Sequence, residues 1–411
     1  NHAQASADPL DADHPIAPSH GCASTNADGE HGEDATLTVA SMAARFPGEG
    51  FGEAVESLTA GALDLMARST VPASLYDGFT GAGWVAFQIQ QSLYGDSSAD
   101  LCAEVDQALH DLLQAASPEQ LGFDLLGGLA GWGFYALERQ EHPLAARCLS
   151  LTLAHLRAKA ESHGEGVAWY SPARRLADGP LSGRYRLGVA HGAAGVIGFL
   201  AQVRAAGVDR GDRLLERALH WLLGRRLPES AGSSFPDAIA SDAPPTPTRS
   251  AWCTGDPGIA LALLTAARVA ERLDWEQTAR IIALEAARRP EEETGVLDAC
   301  LCHGAAGLGH LLNRLYQATG ENELADAARV WLRRALSSRE PGAGFAGFRA
   351  WTKRADGEVH WREDPGLLLG AAGIALALEA ATSDREPAWD RVLMMSLPGP
   401  RTGSGALPAD G

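Results

Sequence analysis

Leu301-Cys302-His303-Gly304-Ala305-Ala306-Gly307-Leu308-Gly309 is the stretch on which the reading of this chain turns. A cysteine and a histidine stand side by side, small residues follow at once, and an apolar helical run continues to about Tyr316. Neighbours on a regular helix point roughly 100° apart, so a Cys-His pair that acts together belongs just before the helix begins. The glycines supply such a loop-to-helix turn and let another backbone come close.

The same context recurs. Short glycine turns followed by an apolar helix appear at Tyr76–Gly83, Gly127–Gly131, His191–Gly195, Cys253–Gly258, Cys302–Gly307 and Leu369–Gly373. Successive turns lie 49 to 66 residues apart, room for one helix in and one helix back. The helices after the turns (VIGFLAQV, IALALLTAA, LGHLLNRLY, IALALEAA) are apolar nearly all round, as buried helices are. Those between them, at 101–116, 150–160, 213–225, 276–289 and 323–336, are amphipathic and belong outside. Buried helices ringed by outer ones make an all-α protein, an α/α toroid. The glycine turns then share one end, where their side chains converge.

Composition sets the bounds. With 411 residues, 45% hydrophobic and 21% charged, the chain is globular and long enough for a large core. A net charge of −18 argues against a nucleic-acid partner, and no apolar run reaches the roughly 18–20 residues of a membrane span. No secretory signal is evident at the start, which is Asn1. Six cysteines in a chain this long make no disulfide framework, so a reduced, cytoplasmic setting is expected. Residues 1–36, rich in Ala, Asp, His, Gly and Pro, are expected to form a disordered tail. The toroid then occupies 37–411, with the last fifteen or so residues mobile. Two irregular stretches stand out: 164–187, with β character and the look of a small insertion, and the Pro- and Ser-rich 230–250. Ser117-Pro118-Glu119-Gln120 has the form of a capping box. Asp77 reads as a helix cap, and Cys300 and His310 as packing residues.

The turns display His191, Cys253 and the pair Cys302-His303. Two thiolates and an imidazole suit Zn²⁺, and three protein ligands leave the open fourth position of a catalytic site. The residues alone leave open that Cys253 and Cys302 are ordinary buried thiols. A toroidal glycosidase would need paired carboxylates in the bowl, where this chain has Cys and His.

Gly188-Val189-Ala190-His191-Gly192, Trp252-Cys253-Thr254-Gly255-Asp256-Pro257-Gly258 and Leu301-Cys302-His303-Gly304 resemble, in order, the three signature motifs of the lanthipeptide cyclases, the LanC family. The resemblance covers most of the chain from about residue 40. It implies a toroid binding one Zn²⁺ per chain through Cys253, Cys302 and His303. It also implies addition of peptide cysteine thiols to dehydroalanine or dehydrobutyrine in the same peptide, closing lanthionine or methyllanthionine rings. His191 is then the acid/base candidate. Arg249, four residues before Cys253, stands where these cyclases carry an arginine, placed to bind the enolate oxygen or orient the peptide, with a surface ion pair as the other reading. Asp124 matches an aspartate paired with the active-site histidine, and also fits a helix cap. The implied partners are a dehydrated precursor peptide with its leader, a dehydratase and a transporter. Thr254 departs from the pattern, since many relatives carry Tyr there. The alternative is a LanC-like protein that binds zinc and thiols, of glutathione type, without a lanthipeptide substrate.

Overall fold

The computed structural model describes residues 70–91 and 100–397, apart from 173, 177–178, 182, 209–212, 241 and 354–357, with scattered positions between 53 and 68. The expected N-terminal tail and mobile C-terminal end lie outside these described residues. Among the described residues, the α-helices with defined bounds are, in chain order, α1 (Phe79–Ile89), α2 (Ala103–Ala115), α3 (Leu129–Glu138), α4 (Pro143–Lys159), α5 (Ala193–Ala205), α6 (Leu214–Leu223), α7 (Asp256–Val269), α8 (Leu273–Arg288), α9 (Ala305–Thr319), α10 (Asn322–Ser337) and α11 (Ala371–Ala381). Among the described residues, no helix is long and apolar enough to cross a membrane.

The odd-numbered helices are those that follow the glycine turns, and they form the inside. In α7 every residue from Asp256 to Ala267 is buried. In α10, by contrast, burial falls on Leu324, Ala325, Ala328, Trp331 and Ala335, one stripe at helical spacing. Successive odd helices pack on one another from α1 to α11, while α4, α8 and α10 pack on the outside of α3, α7 and α9. This double layer is an α/α toroid. Helix α4 begins at Pro143, seven residues before the run recognised in the sequence, because Pro at the first position costs no hydrogen bond. Ser117–Gln120 makes only a single 3-10 turn, in which the Ser117 N–H donates to Gln120 Oε1 at 2.9 Å.

Each inner helix starts at an extended glycine: Gly78, Gly128, Gly192, Gly255, Gly304 and Gly370, none with a side-chain cap. Asp77 is therefore no cap. The first N–H groups of these helices are satisfied instead by carbonyls of the loop just before, as when Ala305 and Ala306 donate to Asp298 and Ala299. That arrangement folds the loop tightly over the first helical turn. A methyl group on Gly131 would overlap the carbonyl oxygen of Leu125, and one on Gly307 that of Leu301.

The loops also bond to one another. Leu75 N–H donates to Leu126 O at 2.9 Å, Leu126 to Ala190 at 3.4 Å, Ala190 to Cys253 at 3.1 Å, Trp252 to Cys302 at 3.1 Å, and Cys302 to Leu368 at 2.8 Å. All six glycine turns are thereby laced edge to edge at one end of the inner layer.

The irregular stretches carry short antiparallel pairs. β1 (Glu161–His163) pairs with β2 (Gly166–Ala168), β3 (Arg174–Leu176) with β4 (Gly179–Leu181), and β5 (Tyr185–Arg186) with β6 (Ala238–Ile239). The β5–β6 pair joins the two irregular stretches, which sequence reading had kept separate. A further hairpin, β7 (Ala350–Lys353) with β8 (Val359–Arg362), was not anticipated. Its signals were an Asp-Gly at 356–357 and cross-strand Trp351 and Trp361.

Gly131→Ala is expected to destabilise the protein by roughly 1–3 kcal/mol or more, because backbone oxygen blocks the methyl. Gly224→Ala, where the nearest atoms stand at 3.5 Å, should stay within about 0.5 kcal/mol. Urea unfolding of the two variants checks this; equal losses would count against the packing account.

Candidate metal centre

Three laced loops bring the chemistry together. Cys253 precedes α7, while Cys302 and His303 precede α9, and the Trp252 N–H to Cys302 O bond clamps the two loops side by side. One donor atom each from Cys253, Cys302 and His303 lie within 4.8 Å of one another, and all three residues are buried. The neighbouring Cys302 thiol pulls the Cys253 thiol well below its ordinary range, with His303 and Arg249 adding to the effect against burial. Both ring nitrogens of His303 are buried without a hydrogen-bond partner. A buried polar atom without a partner costs about 1–3 kcal/mol. An imidazole left so, beside two cysteines, is arranged for an electron-pair acceptor. The donor set fits a tetrahedral ion with one position left over.

A second group, Asp298, Cys300 and His303, also brings its donor atoms within 4.8 Å. Burial, with Asp298 adding, pushes the Cys300 thiol well above its usual range, which disfavours it as a thiolate ligand. Asp298 is already engaged: Oδ1 accepts from Cys300 N–H at 3.1 Å and Oδ2 from Trp351 N–H at 2.9 Å. It braces the loop carrying Cys302 and His303 against β7. The first group is the better site.

His191 stands on the next loop, one residue after the Ala190 N–H that donates to Cys253 O. Its Nδ1 lies 3.2 Å from Asp124 Oδ2, and the imidazole is 40% exposed, unlike buried His303. Asp124 Oδ1 meanwhile accepts from Gly127 N–H at 2.8 Å. Asp124 is no helix cap, since α3 starts at Gly128 without a side-chain cap; the bond to Gly127 shapes its loop while its other oxygen lies beside His191. Arg249 is half-buried and close enough for its charge to favour the thiolates of Cys253 and Cys300. Its neighbours hold it there. Ser250 N–H donates to Thr294 O at 2.7 Å, and Arg289 Nη1 donates to Thr248 O at 2.9 Å.

Three supporting carboxylates escaped sequence reading. Asp256, in the first turn of α7, accepts from Ser234 N–H (2.7 Å), Phe235 N–H (3.0 Å) and Arg289 Nη2 (3.0 Å). Burial pushes its carboxyl above the usual range, with Arg289 opposing. Asp237 accepts at its carbonyl from Leu187 N–H, just before the His191 loop, and burial pushes its carboxyl up as well. Neither these two nor Asp298 is marked in the sequence, and only the fold gives them partners. His310 is not mere packing either: its Nε2 lies 2.9 Å from Asp390 Oδ2, in a fully buried pair.

A ring of inner helices that presents a buried thiol–imidazole cluster beside a carboxylate-paired histidine is a toroid built around a candidate metal centre. The family model described as "Lanthionine synthetase C-like protein" matches residues 52–394, and the chain belongs to that family. A solved structure described as "Nisin cyclase" aligns with a TM-score of 0.69 at 16% identity, over 88% of this chain and 90% of that one, a likeness of fold. Another, "Crystal structure of D-mannose isomerase", gives a TM-score of 0.44 at 14% identity over 73% and 87% of the two chains.

Arg289 and Asp256 are both nearly inaccessible, with 5% and 2% of their side chains exposed. Arg289→Leu leaves a buried carboxylate without its counter-charge and should cost about 3–5 kcal/mol at neutral pH. Because burial already raises the folded-state pKa of Asp256, the folded chain binds its proton more tightly than the unfolded one. Stability linked to this group is therefore present at low pH and lost as pH rises. The variant's deficit, followed by denaturant unfolding across pH, should shrink in acid; a pH-independent deficit would refute this.

Proposed function

We propose that this protein is a zinc-dependent lanthipeptide cyclase, one Zn²⁺ per chain on Cys253, Cys302 and His303, acting on a dehydrated precursor peptide with its leader. The observation that carries this is the buried convergence of two cysteines and an imidazole whose nitrogens are both unpartnered. Membership of the lanthionine synthetase C-like family supports it. Bound zinc would supply the acidity that keeps a peptide thiol as thiolate near neutral pH.

The remaining work falls to this chain's own groups. Attack of the thiolate on the β-carbon of dehydroalanine or dehydrobutyrine forms the C–S bond and moves the π electrons onto the carbonyl oxygen. Arg249 answers that charge. A proton must then reach Cα. His191 is suited to deliver it, because Asp124 at Nδ1 fixes the orientation of its ring. Thr254 has no phenol to share this role. The product is a thioether with no net change in mass. A dehydratase that makes the acceptor, a transporter that exports the product and a cytoplasmic setting belong to the same proposal.

Purified protein should carry about one zinc per chain by elemental analysis, and Cys302→Ala should lose it; full retention in the variant would remove the ligand assignment. With a dehydrated precursor peptide, the wild type should consume free thiols at constant mass. His191→Ala should slow this by about 10²–10⁴-fold, and a wild-type rate would exclude His191. Zinc uptake with addition of free glutathione, but no peptide cyclisation, would select the alternative thiol-binding reading.

A further inference from the structure

A 3-10 element, Ala388–Leu393, and the residues just after it lie against the inner helices of the toroid. Three inner helices and the turn before a fourth meet this segment. Arg391 pairs with Glu138 at the end of α3. The Met394 side chain fills the space beside Gly198 of α5, where an added methyl would come within 3.2 Å, and Gln202 of α5 donates to Ser396 O at 3.4 Å. From α9, His310 Nε2 and Arg314 Nε reach Asp390 Oδ2 at 2.9 and 3.0 Å. Trp389 stacks on His310 with centroids 4.9 Å apart. Asp390 also takes the Ser396 hydroxyl and is completely buried. Met394 holds a left-handed backbone, φ 56°, which a non-glycine residue adopts only when its surroundings enforce it.

The fourth contact is with the α7 turn and leads to the metal centre. The indole of Trp252, 1% exposed, donates from Nε1 to Leu393 O at 2.8 Å. The main-chain N–H of the same residue donates to Cys302 O, and the next residue is Cys253. Trp252 is thus fixed at both ends, by one ligand loop through its backbone and by the C-terminal segment through its ring. A ligand sulfur must be held to within about 0.2 Å for a metal to bind well. We infer that the segment 388–396 is a floor for the metal centre, and that Trp252 is a positioning residue through which it sets Cys253. The network around His310 and Asp390 then stiffens the floor rather than the outer wall. This inference rests on the metal-site reading above, but not on the peptide-cyclase reading.

The test uses the full chain and Co²⁺ in place of zinc, with affinity from chelator competition and geometry from the thiolate-to-cobalt and d–d absorption bands. Trp252→Phe keeps an aromatic ring but deletes the bond to Leu393 O together with part of the buried indole. It should weaken metal binding about 10–100-fold, the range for groups that orient a ligand from behind, and shift the d–d bands. Asp390→Asn removes the charge that His310 and Arg314 of α9 share with the floor, leaves the Trp252 side chain unaltered, and should shift both readouts in the same direction. It also serves should Trp252→Phe not fold. Arg288→Gln, which cuts an exposed outer pair between α8 and Glu323 of α10, is the control for general stability and should leave affinity unchanged. Wild-type affinity and bands in both floor variants, or an equal loss in the control, overturns the inference alone. A wild type that binds neither Co²⁺ nor zinc overturns the metal-site reading, and this inference with it.

Discussion

The structure depends on one repeated constraint: backbone hydrogen bonds between successive glycine turns, from Leu75 through Leu126, Ala190, the Trp252–Cys253 turn and Cys302 to Leu368. Each is worth only about 0.5–1.5 kcal/mol net. Their value is geometric. A helix ring alone fixes its members to side-chain tolerance, whereas a chain of short main-chain bonds fixes the loops to a few tenths of an ångström. The glycines make this lacing feasible, since a methyl at Gly304 or Gly307 would meet the backbone of the loop folded over it.

The candidate centre inherits its form from that lacing. Cys253 and Cys302 are 49 positions apart, yet the Trp252 N–H to Cys302 O bond makes them neighbours. Other braces act from behind. Asp256 and Arg289 hold the loop of Arg249 to the first turn of α7, and Asp298 ties the Cys302-His303 loop to β7. All of these are buried polar groups with satisfied bonds, which specify one arrangement because any alternative would leave a charge or donor unpaired. His303 is the exception, with both nitrogens unpartnered. The bonded braces of Asp256, Arg289 and Asp298 around an imidazole with both nitrogens unpartnered suit a ligand-binding centre.

His191 and His303 show how environment divides two identical side chains. His303 is buried among thiols, its neighbour on the loop tied to Leu368. His191 is 40% exposed and backed by Asp124. Under the function proposed above, the first gives an electron pair to the metal and the second exchanges a proton with the substrate.

The sequence by itself determined the alternation of buried and amphipathic helices, the six glycine turns and the candidate donors Cys253, Cys302 and His303. Those signals are local: helical periodicity, residue size and residue type at the start of a helix. The β5–β6 pairing of two distant stretches, the β7–β8 hairpin and the partners of Asp237, Asp256 and Asp298 were decided only by the tertiary structure. So was the task of His310, which sequence placed among packing residues and the fold gives to Asp390. The physical reason is that a carboxylate or imidazole carries no mark of its partner. Whether it caps a loop, braces a neighbour or meets a ligand depends on which chain segment is folded against it. For Asp390 that means α9, and for Trp252 the C-terminal segment 141 positions away.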